Sequence, residues 1–422
     1  MTTVSAQPLA TDPAPATERG RVGEVFRAFL RLGLTSFGGP IAHLGYFRDE
    51  LVTRRRWVRD DEYAELVGLA QFLPGPASSQ VGFVLGLFRA GPLGALAAWA
   101  AFTLPSAAVL VAFAFGAASL SGPIAAGMLH GLQVVAVAIV AQAVWGMART
   151  LTPDLRRALI AVGAAAVVCA VPGSLGHVTA IAAGALTGWW LMRGVRHEAG
   201  ATGRALRVPV SRRAGLIALL ACLGLLVALP LAAAAAGAAG LTGIVGRSLA
   251  IADAFSRAGA LVFGGGHVLL PLLEPEVVGA GWVTESEFLA GYGAAQAVPG
   301  PLFTFAAYLG ALAEPGALGL VTAGVALVAV FLPGMLLMVG VLPFWASWRR
   351  SASAQALLRG ANAAVVGILA AALVVPVYVS AVVDQASFAL AFACFLLLMA
   401  FRVPAWAVVL VGAGSGALLA LL

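Results

Sequence analysis

Charge is scarce in this chain. Only 10% of its 422 residues are Asp, Glu, Lys or Arg, while 61% are hydrophobic. A soluble domain needs far more charge on its surface, so that class is excluded. Cysteine is scarce as well. Cys169, Cys222 and Cys394 stand apart inside apolar runs, which leaves no CxxC pair and no disulfide framework. The five histidines form no HxxxH or HExxH pair, so no dedicated metal site is expected. The net charge of +7 is spread over short loops and does not point to a nucleic-acid partner.

What the chain does have is length of apolar sequence. Runs of roughly 20 residues, enough to cross a bilayer, recur from Phe26 to the C-terminus. The expected fold class is an all-α polytopic membrane protein with the lipid bilayer as its surroundings. A β-barrel would instead alternate over segments of about 10 residues. The first 20 residues are polar, rich in Pro, Ala and Thr, and lack an apolar h-region. They read as a disordered cytoplasmic tail, not as a signal peptide.

The chain also repeats itself. "WVRDDEYAELVGLAQFLPGP" from Trp57 matches "WVTESEFLAGYGAAQAVPGP" from Trp282, 225 positions later and without a gap. Upstream, "AFLRLGLTSFGG" (28–39) matches "AFSRAGALVFGG" (254–265) at an offset of 226. Further on, Pro105 in "TLPS" answers Pro333 in "FLPG", and "GLQ" at Gly131 answers "GAN" at Gly360. Several anchors in one order indicate a duplication.

Matched loops differ in charge. "RDELVTRRRWVRDDE" carries five arginines, whereas its partner "LLEPEVVGAGWVTESE" carries four glutamates and no base. Arg89 faces Glu314 in the alignment, and the uncharged turn at 117–123 answers a loop with Arg349 and Arg350. By the positive-inside rule, equivalent loops should lie on opposite sides of the membrane, making the halves inverted-topology repeats. The expected layout is a tail (1–20), a first repeat (21–192), a basic cytoplasmic linker with one extra helix (193–240) and an inverted second repeat (241–422). Roughly 10–13 membrane segments are expected, with broken or re-entrant helices at the FGG and PGP motifs.

Those motifs are the candidate site. Pro-Gly-Pro stops a helix, and the carbonyls it frees must be met by protein or by a water-filled cavity. Gln71, Pro74, Gly75 and Pro76 form one break, and Gln296, Pro299, Gly300 and Pro301 the other. Phe37, Gly38 and Gly39 precede Pro40, and Phe263, Gly264, Gly265 and Gly266 precede His267. These glycines either let a backbone approach a ligand at a helix N-terminus or simply allow tight helix packing. Arg31 and Arg257 lie in apolar stretches six residues before each phenylalanine, and forked donors suit an oxyanion. Glu62 and Glu287 open the PGP helices, where first-turn capping is the main reading and proton coupling a lesser one. His43 and His267 could carry a coupling proton or be satisfied interfacial residues.

FGGP and FGGGH, the W-V-x-D/E lead-in and Q-x-x-PGP in both halves resemble the chromate ion transporter family in its long, two-domain form. The similarity runs from about Phe26 to the end. It implies a secondary transporter of the inner membrane, with a cytoplasmic N-terminus, that exports chromate on the proton motive force as an antiporter. It also implies chromate resistance for the host, with sulfate as the competing dianion. The family's motifs fall on 37–40, on 263–267 with Pro271, and on both PGP runs. FGGPIAHLGYF and FGGGHVLLP differ, so two identical anion ligands are not expected. Sulfate or another small oxyanion is the alternative cargo. An enzyme is disfavoured. No flavin, haem or thiol motif serves a reductase, and the acidic run at Arg59–Glu62 is too isolated for a transferase. No cofactor is expected, and the oligomeric state, a homodimer included, stays open.

Overall fold

The computed structural model describes residues 20–119, 122–171, 173–193, 208–241, 243–348 and 351–421. The polar tail up to 19, the linker from 194 to 207 and Arg349 and Arg350 lie outside the described residues. Every regular element among the described residues is helical. Several helices start where the sequence supplies a cap: Asp154, Thr284, Ser351 and Asp384 each accept a backbone N–H of the first turn.

The first half opens with α1 (Val22–Thr35), which stops at the SFG break. α2 (Gly39–Phe47) then leads back, and a wide turn reaches Arg54. α3 (Asp60–Phe72) runs up to the PGP break, and α4 (Ala77–Ser119) continues beyond it, with non-helical backbone at Ala90 and Gly91. Three points distant in sequence meet. Glu24 accepts from Trp57 Nε1 at 3.1 Å and from Arg89 Nη2 at 3.2 Å, and the Arg89 guanidinium lies 5.5 Å from the Trp57 ring. Residues 22–57 and 57–89 are therefore two hairpins that return to the end they started from.

α5 (Pro123–Leu151), α6 (Leu155–Ala170) and α7 (Ser174–Met192) complete this half. α8 (Arg212–Ala238) follows the linker. The second half repeats the order: α9 (Ile244–Leu261), a break, α10 (Leu269–Val277), α11 (Glu285–Ala295), a break, α12 (Phe305–Leu312) and α13 (Leu318–Val341). α14 (Ala352–Ala372), α15 (Gln385–Met399) and α16 (Ala405–Leu419) finish it. Here Arg247 pairs with Glu314 at 2.9 Å and lies 5.4 Å from the Trp282 ring. The second pair of hairpins closes in a comparable way: Glu314 answers Arg89, while Arg247 lies three residues before Ala250, the position matched to Glu24, so the ion pair has its signs reversed.

Packing between the halves is reciprocal. α5 packs against α15 and α16, and α14 packs against α6 and α7. Glycine sets both approaches: Gly131 lies against Gly412 and Gly127 against Gly416, while Gly360 lies against Gly184 and Gly188. A side chain at these positions would run into backbone, which is how small residues bring membrane helices together. Six helices among the described residues are long and apolar enough to cross a bilayer, with shorter apolar helices at 302–312, 385–399 and 405–419. Outward-facing Leu216, Ile217, Leu220 and Leu223 on α8 fit lipid contact. The chain is an all-α, multi-pass membrane protein.

Candidate functional site

Four helix breaks strand backbone groups, and the fold satisfies some of them by exchange between the halves. Gly300 N–H donates to the Ser36 carbonyl at 2.9 Å, and Gly75 N–H donates to the Val262 carbonyl at 2.7 Å. Ser36 and Val262 are matched positions, as are Gly75 and Gly300. Each FGG break thus receives the PGP glycine of the other half. Gly75 and Gly300 have φ of 123° and 109°, a region that strains any side-chain-bearing residue. The carbonyls freed by the prolines are caught as well. Gln80 Nε2 donates to Pro74 O at 2.9 Å and to Gly334 O at 2.9 Å, and Ser106 Oγ donates to Pro299 O. Ser106 and Gly334 each follow the matched Pro105 and Pro333.

This crossing point borders a cavity of about 310 Å³. Its walls come from the first FGG break (Gly38, Gly39, Pro40), the second PGP break (Gln296, Val298, Gly300) and His267. Gln142 of α5 and Arg402 between α15 and α16 complete its polar lining. Gly38–Pro40 form the start of α2, so the positive end of that helix lies at the wall. Gln296 Nε2 is buried without a partner. His267 Nδ1 lies 2.7 Å from the Tyr292 hydroxyl, which fixes the imidazole plane. Among the described residues no carboxylate lines the cavity. Arg402 has no ion-pair partner among the described residues, and its φ of 53° is left-handed, a conformation costing roughly 1–3 kcal/mol outside glycine. The lining is donor-rich and carries one guanidinium, which is chemistry for a small anion.

The structure brings Gly38, Gly39, Gln296, Gly300 and His267 to this cavity. It does not bring the two expected arginines there. Arg31 is exposed in a shallow recess beside Asp49, Glu50 and Arg54. Arg257 is bound by Asp253 at 2.8 Å and Glu276 at 3.1 Å, so its charge is already met. Both positions lie on helices whose breaks do reach the centre, but the guanidiniums do not follow the backbone. Gln71 is exposed, unlike its partner Gln296. Glu62 accepts the Arg59 backbone N–H at 3.3 Å and pairs with its guanidinium at 3.2 Å, and Glu287 closes a capping box with Thr284, the first-turn role expected of them. Phe37 packs near Trp406, with ring centroids 6.2 Å apart, and Gly264 faces Met147. Pro74, Pro76, Pro299 and Pro301 act through the turns they impose, as do Gly75 and Gly265 with their positive φ, while Phe263 packs on the core and Gly266 lies against Leu302. His43 is buried away from the cavity lining. Arg402 was not foreseen. Its one sequence signal is a lone arginine in the apolar run "MAFRVPAW", without an arginine in the first-half counterpart "CAVPGS".

A family model described as chromate transporter matches the chain twice, over residues 23–189 and 249–417. A chromate transport protein of Pseudomonas aeruginosa is 28% identical over 352 residues, covering 82% of this chain and 79% of that protein. A probable chromate transport protein of Synechococcus elongatus is 31% identical over 369 residues, covering 82% of each. A chromate transport protein of Cupriavidus metallidurans is 27% identical over 381 residues, covering 89% of this chain and 87% of that protein. No solved structure matches.

Proposed function

The chain belongs to the chromate transporter family, and from that premise we propose that it exports chromate across the inner membrane through the cavity between its halves. The observation that carries this reading is the cavity itself. It joins helix breaks from both halves and lines them with Arg402, Gln142, Gln296, His267 and the start of α2. At about 310 Å³ it has room for a tetrahedral oxyanion and several waters, each water occupying about 30 Å³.

Energetics favour outward movement. One charge crossing 100 mV is worth about 2.3 kcal/mol, so a dianion leaving an inside-negative cell gains about 4.6 kcal/mol, roughly a 10³-fold gradient. The electrical part of the proton motive force can therefore drive export. Sulfate has the same charge and shape and should compete. We read the halves as inverted repeats. With both hairpin pairs returning to their own side, α4 to α7 give four crossings and α8 a fifth, so the second half starts from the opposite face. The exchanged charges at Glu24–Arg89 and Arg247–Glu314 support this.

The test is chromate flux in proteoliposomes with a potassium-diffusion potential. Flux should follow the potential and fall when sulfate is added in excess. Flux equal to that of protein-free vesicles would overturn the assignment.

A further inference from the structure

The two halves differ most in one buried place. His43 is 1% exposed, with Nδ1 3.3 Å from Ser78 Oγ and its ring edge-on to Phe102 at 5.3 Å. Ser36, beside it, is 0% exposed. His43 Nε2 and Ser36 Oγ have no side-chain partner among the described residues. The matched positions in the second half are Val262 for Ser36 and Phe303 for Ser78, both buried. Leu269 answers His43 in ungapped register. His267, two residues earlier, faces the cavity and is held by Tyr292.

The second half shows that these backbone positions pack well with apolar side chains. The first half keeps polar atoms there although each unpaired buried group costs about 1–3 kcal/mol. Such atoms call for a guest with hydrogen-bonding capacity, namely water and the proton it carries.

We propose that the cluster around His43 is a proton-binding site of the first half, taking a proton from water onto Nε2 when its hairpins open and returning it when they close. In this arrangement a charged imidazole would lie buried against Phe102 beside Ser78 and Ser36, with no carboxylate paired to it among the described residues, which disfavours it. Neighbouring ionisable groups are engaged elsewhere. Arg48 pairs with Asp60, Glu50 holds Arg54 and Arg55, and Tyr63 donates to the Leu44 carbonyl. Asp49 faces the Arg31 recess, Tyr46 is exposed at its rim, and α4 presents Ser78 and Phe102, neither of which carries a charge. Proton uptake is thereby linked to opening. The link reaches the anion cavity through Ser36, whose carbonyl accepts from Gly300 in the cavity wall. Among the described residues the second half holds Leu269 and Phe303 where the first holds His43 and Ser78, so this site belongs to the first half alone.

This inference rests on the transport reading for its flux arm only. In proteoliposomes of the full chain, potential-driven chromate flux should change several-fold between about pH 5.5 and 8, the range in which an accessible imidazole titrates. His43→Gln should keep the flux and flatten its pH profile. A His43→Gln profile that matches wild type overturns the proposal. If His43→Gln carries no chromate, Ser78→Ala should displace the pH midpoint, and an unmoved midpoint overturns it. If wild type itself carries no chromate, the transport reading fails. Infrared difference titration of purified wild type against His43→Gln then decides the proton site. An imidazole signal lost in the variant supports it, and identical spectra refute it.

Discussion

Arg402 is a long cationic side chain placed at a bend that glycine would occupy more cheaply. Its left-handed backbone, its place in the cavity wall and its lack of an acidic partner among the described residues suit the role proposed for it, holding a negative cargo. A hydrogen bond to a charged group is worth about 1.5–3 kcal/mol, so Arg402→Ala should lower chromate flux roughly 10- to 100-fold at subsaturating chromate. Protein levels should be unchanged, and Arg402→Lys should recover part of the loss. Arg31→Ala should leave flux within about 2-fold, because its recess is outside the cavity. Arg257→Ala should act on stability instead, leaving Asp253 and Glu276 without their cation. The side chain is 38% exposed, so the loss is discounted to about 1–2 kcal/mol, read as a lower melting temperature in detergent. None of these three roles was legible from residue type. Each arginine sits in apolar sequence, and what separates them is side-chain direction, which a one-dimensional pattern does not carry.

The hairpins show what an element-level reading can and cannot reach. Pro-Gly-Pro and FGG announce helix breaks from covalent geometry alone, and the breaks stand where the sequence puts them. Their partners are another matter. Gln80 and Ser106, which catch the Pro74 and Pro299 carbonyls, are unremarkable polar residues until the helices are laid side by side. The hairpin mouths lend themselves to a charge exchange. Arg89→Glu should weaken the first half by bringing two carboxylates together at Glu24, and adding Glu24→Arg should restore much of the thermal stability. Failure of the double variant to recover would show that the ion pair does not clasp the hairpins.

The turn from Arg48 to Asp60 carries its own pH dependence. Arg48 holds the Asp60 carboxyl below its usual range. Burial alone would raise Glu50, but Arg55 and Arg54 outweigh it and hold that carboxyl low too. Both pairings are present above the ordinary carboxylate values and are lost as pH falls through the depressed ones. Protection against hydrogen exchange in residues 48–60, taken relative to the intrinsic rate at each pH, should therefore fall below about pH 4 while the other helices stay protected.

At the scale of the whole molecule, the duplication was plain in the sequence because motifs with strict backbone demands resist drift. The loop charges carried the orientation argument for a similar reason, since a bilayer sorts arginine by side. The differences between the halves were not legible. Phe303, Phe305 and Phe331 against Ser78, Gln80 and Thr103 read as ordinary variation until burial shows them filling matched places. The account depends on the halves being inverted, so that one cavity can be offered to each side in turn. Sided cysteine labelling tests this directly. On a background lacking Cys169, Cys222 and Cys394, single cysteines would replace Arg54 and Ala280, which are exposed and lie in matched loops. An impermeant maleimide applied to intact cells should label position 280 and spare position 54 until the membrane is opened. Labelling of both from the same side would contradict the account.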